Sequence, residues 1–164
     1  MIVYIRKADE FLAAIERLFL TIFCGALIII LMTQVILRYG FSRPLFWAEE
    51  ISVQLLVFIT LIGMSLLLKA RGMISIDIIV GALPTKLKKG LFIVLQFLGL
   101  AVLIFFAYQS TLWILRPEVR MELSPTTGLP IWVNYSMLPI TLYGMVFHMA
   151  AGLTTMIHQM FKAE

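Results

Sequence analysis

The sequence predicts an all-α integral membrane protein: four transmembrane helices with N- and C-termini cytoplasmic, plus short amphipathic interfacial helices. Three observations carry this prediction. Hydrophobic residues make up 62% of the 164-residue chain and charged residues 13%, against about half and about a quarter in globular proteins. Mean hydropathy is +1.02, and a water-soluble chain of this size would leave much of that apolar excess exposed. The charges fall at intervals that leave four long uncharged runs, none with the alternation of a barrel strand. In hydrocarbon each backbone N–H must be satisfied within its own segment, so each run is expected to be helical. The same figures exclude a disordered chain, a collagen-like repeat and a disulfide scaffold.

A spanning helix needs about 20 predominantly apolar residues. Arg17 and Arg38 bracket the first such run, 18–37. It is longer than the roughly 7–15 apolar residues of a secretory signal and no A-x-A-like site follows, so an uncleaved first span is expected. The second run, 51–68, lies between Glu50 and Lys69; the third, 91–115, ends at Arg116; the fourth, 131–157, ends before Lys162. Together they predict a single membrane domain over 1–164. Residues 1–17 mix Arg6, Lys7, Asp9, Glu10, Glu16 and Arg17 with apolar residues at helical spacing. They are expected to form an amphipathic helix that lies at the inner interface or extends the first span. Residues 73–83, interrupted by Ser75 and Asp77 and closed by Pro84, are too short to span and predict a second interfacial helix. The connection 116–130 contains Pro117, Pro125, Gly128 and Pro130, which predicts an ordered, extended link without helix. Pro139 lacks a backbone donor and predicts a kink in the fourth span.

Orientation follows from the basic residues. Arg6, Lys7, Arg17, Lys69, Arg71, Lys86, Lys88, Lys89 and Lys162 flank one side; Arg38, Arg43, Arg116 and Arg120 flank the other. The richer side is expected in the cytoplasm. Trp47, Trp113 and Trp132 then all fall at the outer interface, where indole rings are favoured. The net charge of +4 is read as this orientation signal and not as a nucleic-acid surface.

The residues that might carry chemistry are few. No Asp, Glu, Lys or Arg lies deep in a predicted span, which disfavours a self-sufficient secondary transporter. Gln34, Gln54, Gln96 and Gln109 are expected to bond between helices. Gly144, His148 and Gly152 share one face of the fourth span, where small residues allow close approach and His148 supplies a hydrogen bond. His148 and His158 are about 15 Å apart along one helix, too far to ligate one haem. No cofactor is expected, and Cys24 has no partner cysteine. At the hairpin between the first two spans, Arg38 and Tyr39 end one helix; Pro44, Trp47, Glu49 and Glu50 open the next, with Gln54 one turn beyond Glu50. Two carboxylates so near the apolar zone need partners, and Arg38 or Arg43 is expected to supply them. There is no metal cluster, no nucleophile with a base and no Gly-rich phosphate loop. An ion-paired structural corner is therefore expected, not an enzyme.

The hairpin motif Arg38-Tyr39-x-Phe41-x-x-Pro44-Leu45-x-Trp47-x-Glu49-Glu50 resembles the signature of the small, DctQ-type membrane subunit of tripartite ATP-independent periplasmic (TRAP) transporters. The likeness continues through Arg71-Gly72-x-Ile74-x-Ile76-Asp77 and Ser124-Pro125-x-x-Gly128-x-Pro130, then Trp132, Tyr135 and Pro139. Met73 departs from the pattern, standing where many members carry His. The resemblance implies a bacterial inner-membrane protein paired with a large multi-span TRAP membrane subunit that holds the substrate and sodium sites. It also implies a periplasmic substrate-binding protein delivering an organic acid anion, such as a C4-dicarboxylate or sialic acid. The small subunit would enlarge the fixed scaffold, with membrane lipid around it. Arg38, Tyr39, Trp47, Glu49, Glu50, Gln54, Asp77, Pro125, Gly128, Pro130, Trp132, Gly144, His148 and Gly152 are then candidates for structural or partner contacts. Two other classes compete: a membrane anchor of a redox complex, and a self-associating small exporter.

Overall fold

The computed structural model describes residues 2–70 and 85–162. Its helices are α1 (Ile2–Gly40), α2 (Phe46–Ala70), α3 (Thr85–Ile114), α4 (Pro117–Met121), α5 (Ile131–Tyr135) and α6 (Met137–Lys162). Four segments are long and apolar enough to cross a membrane: Val3–Gly40, Phe46–Ala70, Ile93–Ile114 and Ile131–Met156. Among the described residues the nearest thing to a strand is one antiparallel bridge, Leu123 to Pro130. The expected interfacial helix over 73–83, with Asp77, lies outside the described residues.

The chain runs up and down. Neighbours along it are antiparallel, as the facing pairs Lys69–Asp9, Ser65–Glu16 and Phe58–Phe23 show for α1 and α2. α1, α2 and α6 pack against one another, and α3 lies on α6. Lipid solvation explains the size sorting in this bundle. The buried positions are mostly small (Ala13, Ala48, Ala107, Ala151, Ser52, Ser65, Ser110), while Ile28, Ile29, Val53, Val94, Leu98 and Phe105 point outward. Without water to drive large side chains inward, close backbone approach decides what lies inside. Gly99 shows the closeness: a Cβ there would stand 2.7 Å from Met149 Cε.

One expectation resolves to one of its two alternatives, and two others need refinement. Residues 2–17 extend the first span: α1 is continuous over 39 residues, about 58 Å at 1.5 Å per residue. Between 116 and 130 the link is not wholly extended. Pro117, whose fixed φ suits the first helical position, opens the short helix α4 after Arg116. The interruption in the fourth span lies at Ser136, between α5 and α6, three residues before Pro139. A proline nitrogen cannot donate to the carbonyl four residues back, here that of Tyr135, and Tyr135 is the residue at which α5 ends.

Candidate functional site

Two polar clusters tie the helices together, one at each end of the bundle. The first lies at the end where α1 begins and α6 ends. Asp9, Ala13 and Glu16 share one stripe of α1 at helical spacing, Ser65 and Lys69 are one turn apart on α2, and Gly144 and His148 one turn apart on α6. Where the three stripes meet, Lys69 Nζ lies 2.9 Å from Asp9 Oδ2 and donates to the Asp9 carbonyl at 2.7 Å. Ser65 Oγ donates to Glu16 Oε1 at 2.7 Å. His148 Nδ1 is 2.5 Å from Asp9 Oδ1, and its Nε2 is 3.1 Å from Glu16 Oε2. Gly144 leaves room for the carboxylate: a Cβ there would stand 3.0 Å from Glu16 Oε1. Glu16, Ser65 and His148 are buried.

This cluster corrects the reading of Asp9 and Glu16 as charges on an amphipathic segment over 1–17. Asp9 and Glu16 are not the polar face of a surface helix; they turn into the bundle because Lys69, Ser65 and His148 meet them there. His148 makes two contacts, not one, and both go to carboxylates.

The second cluster lies at the opposite end. Glu50 accepts hydrogen bonds from the Ser124 and Thr126 hydroxyls, from the Thr126 amide at 3.3 Å and from Thr127 Oγ1 at 3.5 Å. Gln54 Nε2 adds another at 3.2 Å, across one turn of α2. The loop that supplies these donors is itself a closed hairpin. Ser124 N donates to Leu129 O, Gly128 N to Ser124 O and Ile131 N to Glu122 O, and Gly128 takes φ +66°, a conformation that favours glycine. Glu50 thus clasps the loop 122–130 onto the start of α2. The expected partners of Glu50, Arg38 and Arg43, are not the ones it finds: hydroxyl and amide donors fill its oxygens. Arg38 instead lies 5.8 Å from the Tyr39 ring centroid.

Between Glu50 and α5 is a cleft of about 550 Å³. Phe46, Val53, Val57, Phe58, Ile131 and Tyr135 form its apolar wall, and Glu49, Glu50, Gln54 and Asn134 its polar groups, beside Pro125 and Thr126. Trp113 packs against Tyr135 at 4.8 Å between centroids with the rings tilted by 47°, and Arg120 lies 6.0 Å over Trp132. Trp47 and Glu49 are exposed on the same end. Pro130 precedes α5 as its N-cap. Gly152 is exposed with open space where a Cβ would go, so it stands apart from the packed Gly144 and His148. Asp9, Glu16, Ser65, Lys69, Ser124, Thr126 and Thr127 are the site residues that sequence reasoning did not single out.

These features define a multi-pass membrane protein whose intruding charges are used to hold helices and a loop in place. Residues 27–158 match the family of tripartite ATP-independent periplasmic transporters, DctQ component. The chain belongs to that family, whose members are transporter subunits and not enzymes. It is 33% identical over 86 residues to the sialic acid TRAP transporter permease protein SiaT of Haemophilus influenzae, a match covering 52% of this chain and 13% of that protein. Over 83 residues it is 29% identical to the C4-dicarboxylate TRAP transporter small permease protein DctQ of Vibrio cholerae, covering 51% of this chain and 36% of the other. Over 134 residues it is 26% identical to the ectoine TRAP transporter small permease protein TeaB of Halomonas elongata, covering 80% and 68%. The chain spans well under two thirds of the first two relatives.

Proposed function

We propose that this chain is the small membrane subunit of a TRAP transporter, acting as a scaffold for a large sodium-coupled subunit that imports an organic acid anion. A periplasmic substrate-binding protein would deliver that anion, and the complex would sit in a bacterial inner membrane with both termini of this chain in the cytoplasm. The observation that carries the reading is the use made of its charges. Asp9, Glu16, Lys69 and His148 face one another and Glu50 faces its own loop, so the polar groups brace the bundle. Family membership and the four apolar helices support the same view, and the redox-anchor and exporter readings have no comparable support. The named relatives handle sialic acid, C4-dicarboxylates and ectoine; an organic acid such as sialic acid or a C4-dicarboxylate is the substrate class proposed here.

The end that carries Trp47, Glu49 and the clasped loop with Pro125, Gly128, Pro130 and Trp132 would face the periplasm and contact partners. The test is to tag the chain in its native membrane, extract it in mild detergent and identify what accompanies it. A stoichiometric, many-span apolar subunit is expected. A chain that purifies alone as a stable homo-oligomer overturns the reading. Replacing Trp47 and Glu50 together is expected to weaken assembly or uptake; unchanged behaviour removes those residues from the contact surface.

A further inference from the structure

The ring of His148 poses a question of proton count. Its side chain is fully buried, with Nδ1 2.5 Å from Asp9 Oδ1 and Nε2 3.1 Å from Glu16 Oε2. A neutral imidazole has one N–H and one lone pair, so it can donate to only one of these carboxylates; only the doubly protonated ring serves both. The other members of the cluster leave this demand standing. Lys69 occupies Asp9 Oδ2 and the Asp9 carbonyl, and Ser65 occupies Glu16 Oε1. Each carboxylate therefore has one oxygen satisfied by α2 and the other aimed at the ring.

Charge balance points the same way. With an imidazolium, two positive and two negative groups cancel. With a neutral ring the cluster holds one uncompensated negative charge, and one carboxylate oxygen faces a lone pair, a costly arrangement away from water. The charged and titratable groups facing His148 among the described residues are Asp9 and Glu16 from α1 and Lys69 from α2. α3, which packs on α6, has no charged residue from Gly90 to its end.

We propose that His148 is a proton-binding site, holding its second ring proton as a structural ligand that bridges α1 to α6. Loss of that proton releases one of the two bridges, the longer one to Glu16 being the first to go. The inner bracing of the bundle then weakens as pH rises. The inference stands on the cluster's geometry and does not depend on which transporter the chain serves.

Only two histidines are present, and His158 is exposed, which makes the test direct. The full chain carrying His158→Gln, labelled with 15N-histidine and placed in lipid nanodiscs, reports on one ring. Both ring nitrogens are expected to carry protons at pH 7.5, and the chain's Tm to fall by about 5 °C as the ring loses one of them at higher pH. A single protonated nitrogen at pH 7.5 overturns the proposal, as does a Tm that stays flat while the proton leaves. In His148→Asn the pH-dependent part of Tm is expected to vanish; its persistence also overturns the proposal. Should His148→Asn fail to fold, the ring measurement still decides, because it leaves the cluster unaltered.

Discussion

Replacing Glu16 with alanine removes one carboxylate that serves two helices. Its Oε1 accepts from Ser65 on α2 and its Oε2 contacts His148 on α6. The Ser65 hydroxyl is left fully buried, but it can turn to the carbonyl one helical turn back, so its share of the loss is small. The contact to the ring has no such substitute. A hydrogen bond to a charged group contributes about 1.5–3 kcal/mol, and breaking a buried ion pair by removing one partner costs about 3–5 kcal/mol. Taking about 3 kcal/mol as the working value, and about 2–4 °C per kcal/mol at this chain length, Tm should fall by about 6–12 °C. Fluorescence-detected size exclusion after stepwise heating in detergent measures it. Glu10→Ala is the control: Glu10 is exposed on the same helix and, among the described residues, pairs with Arg6, so a change below about 2 °C is expected. A Glu16→Ala chain that melts with the control would refute the bracing role of the cluster.

Four further outcomes are expected. Gly144→Leu should cost nearly as much as Glu16→Ala, since a Cβ alone already comes within 3.0 Å of Glu16 Oε1; an unchanged Tm would mean that α1 and α6 do not approach so closely. Glu50→Ala should speed amide exchange across 122–130 by about tenfold, with protection elsewhere unchanged; equal protection would show that the loop holds itself. Gly128→Val forces a branched residue to φ +66° and should destabilise the loop by about 1–2 kcal/mol, read by exchange at Gly128 and Ser124. On a Cys24→Ser background, Ala163→Cys should react with a membrane-impermeant maleimide only after permeabilisation; labelling in intact cells would reverse the orientation.

Much of the bundle could be read from charge spacing, because hydrocarbon leaves an uncharged run of about 20 residues little choice but helix. The clusters were harder to see. Asp9 and Glu16 lie among charged neighbours and have the look of a solvated face; what distinguishes them is that they flank Ala13 on one stripe, and alanine is buried there. That spacing was visible, as were Ser65 with Lys69 and Gly144 with His148. Which stripe faces which was not, since Glu16 and His148 are 132 positions apart and no local preference encodes such a pairing. Glu50 illustrates the same limit. Nearby arginines were the obvious partners by charge, yet hydroxyls 74 to 77 positions away supply its bonds, because the hairpin of 122–130 folds across the start of α2. Gln54 shows local spacing prevailing: expected to bond between helices, it bonds within α2 to Glu50, one turn back.

The order in which the chain is made gives the inner cluster a history. Its members emerge far apart in time: α1 with both carboxylates first, Ser65 and Lys69 next, His148 last. At about 5–20 residues per second, the 132 positions between Glu16 and His148 amount to roughly 7–26 s of synthesis. During that interval hydrocarbon is a poor place for Asp9 and Glu16. The arrival of α2 gives each carboxylate one partner, so the α1–α2 hairpin is a natural early unit of insertion. The two oxygens it leaves open wait for the last helix, and His148 makes the docking of α6 the event that completes the subunit.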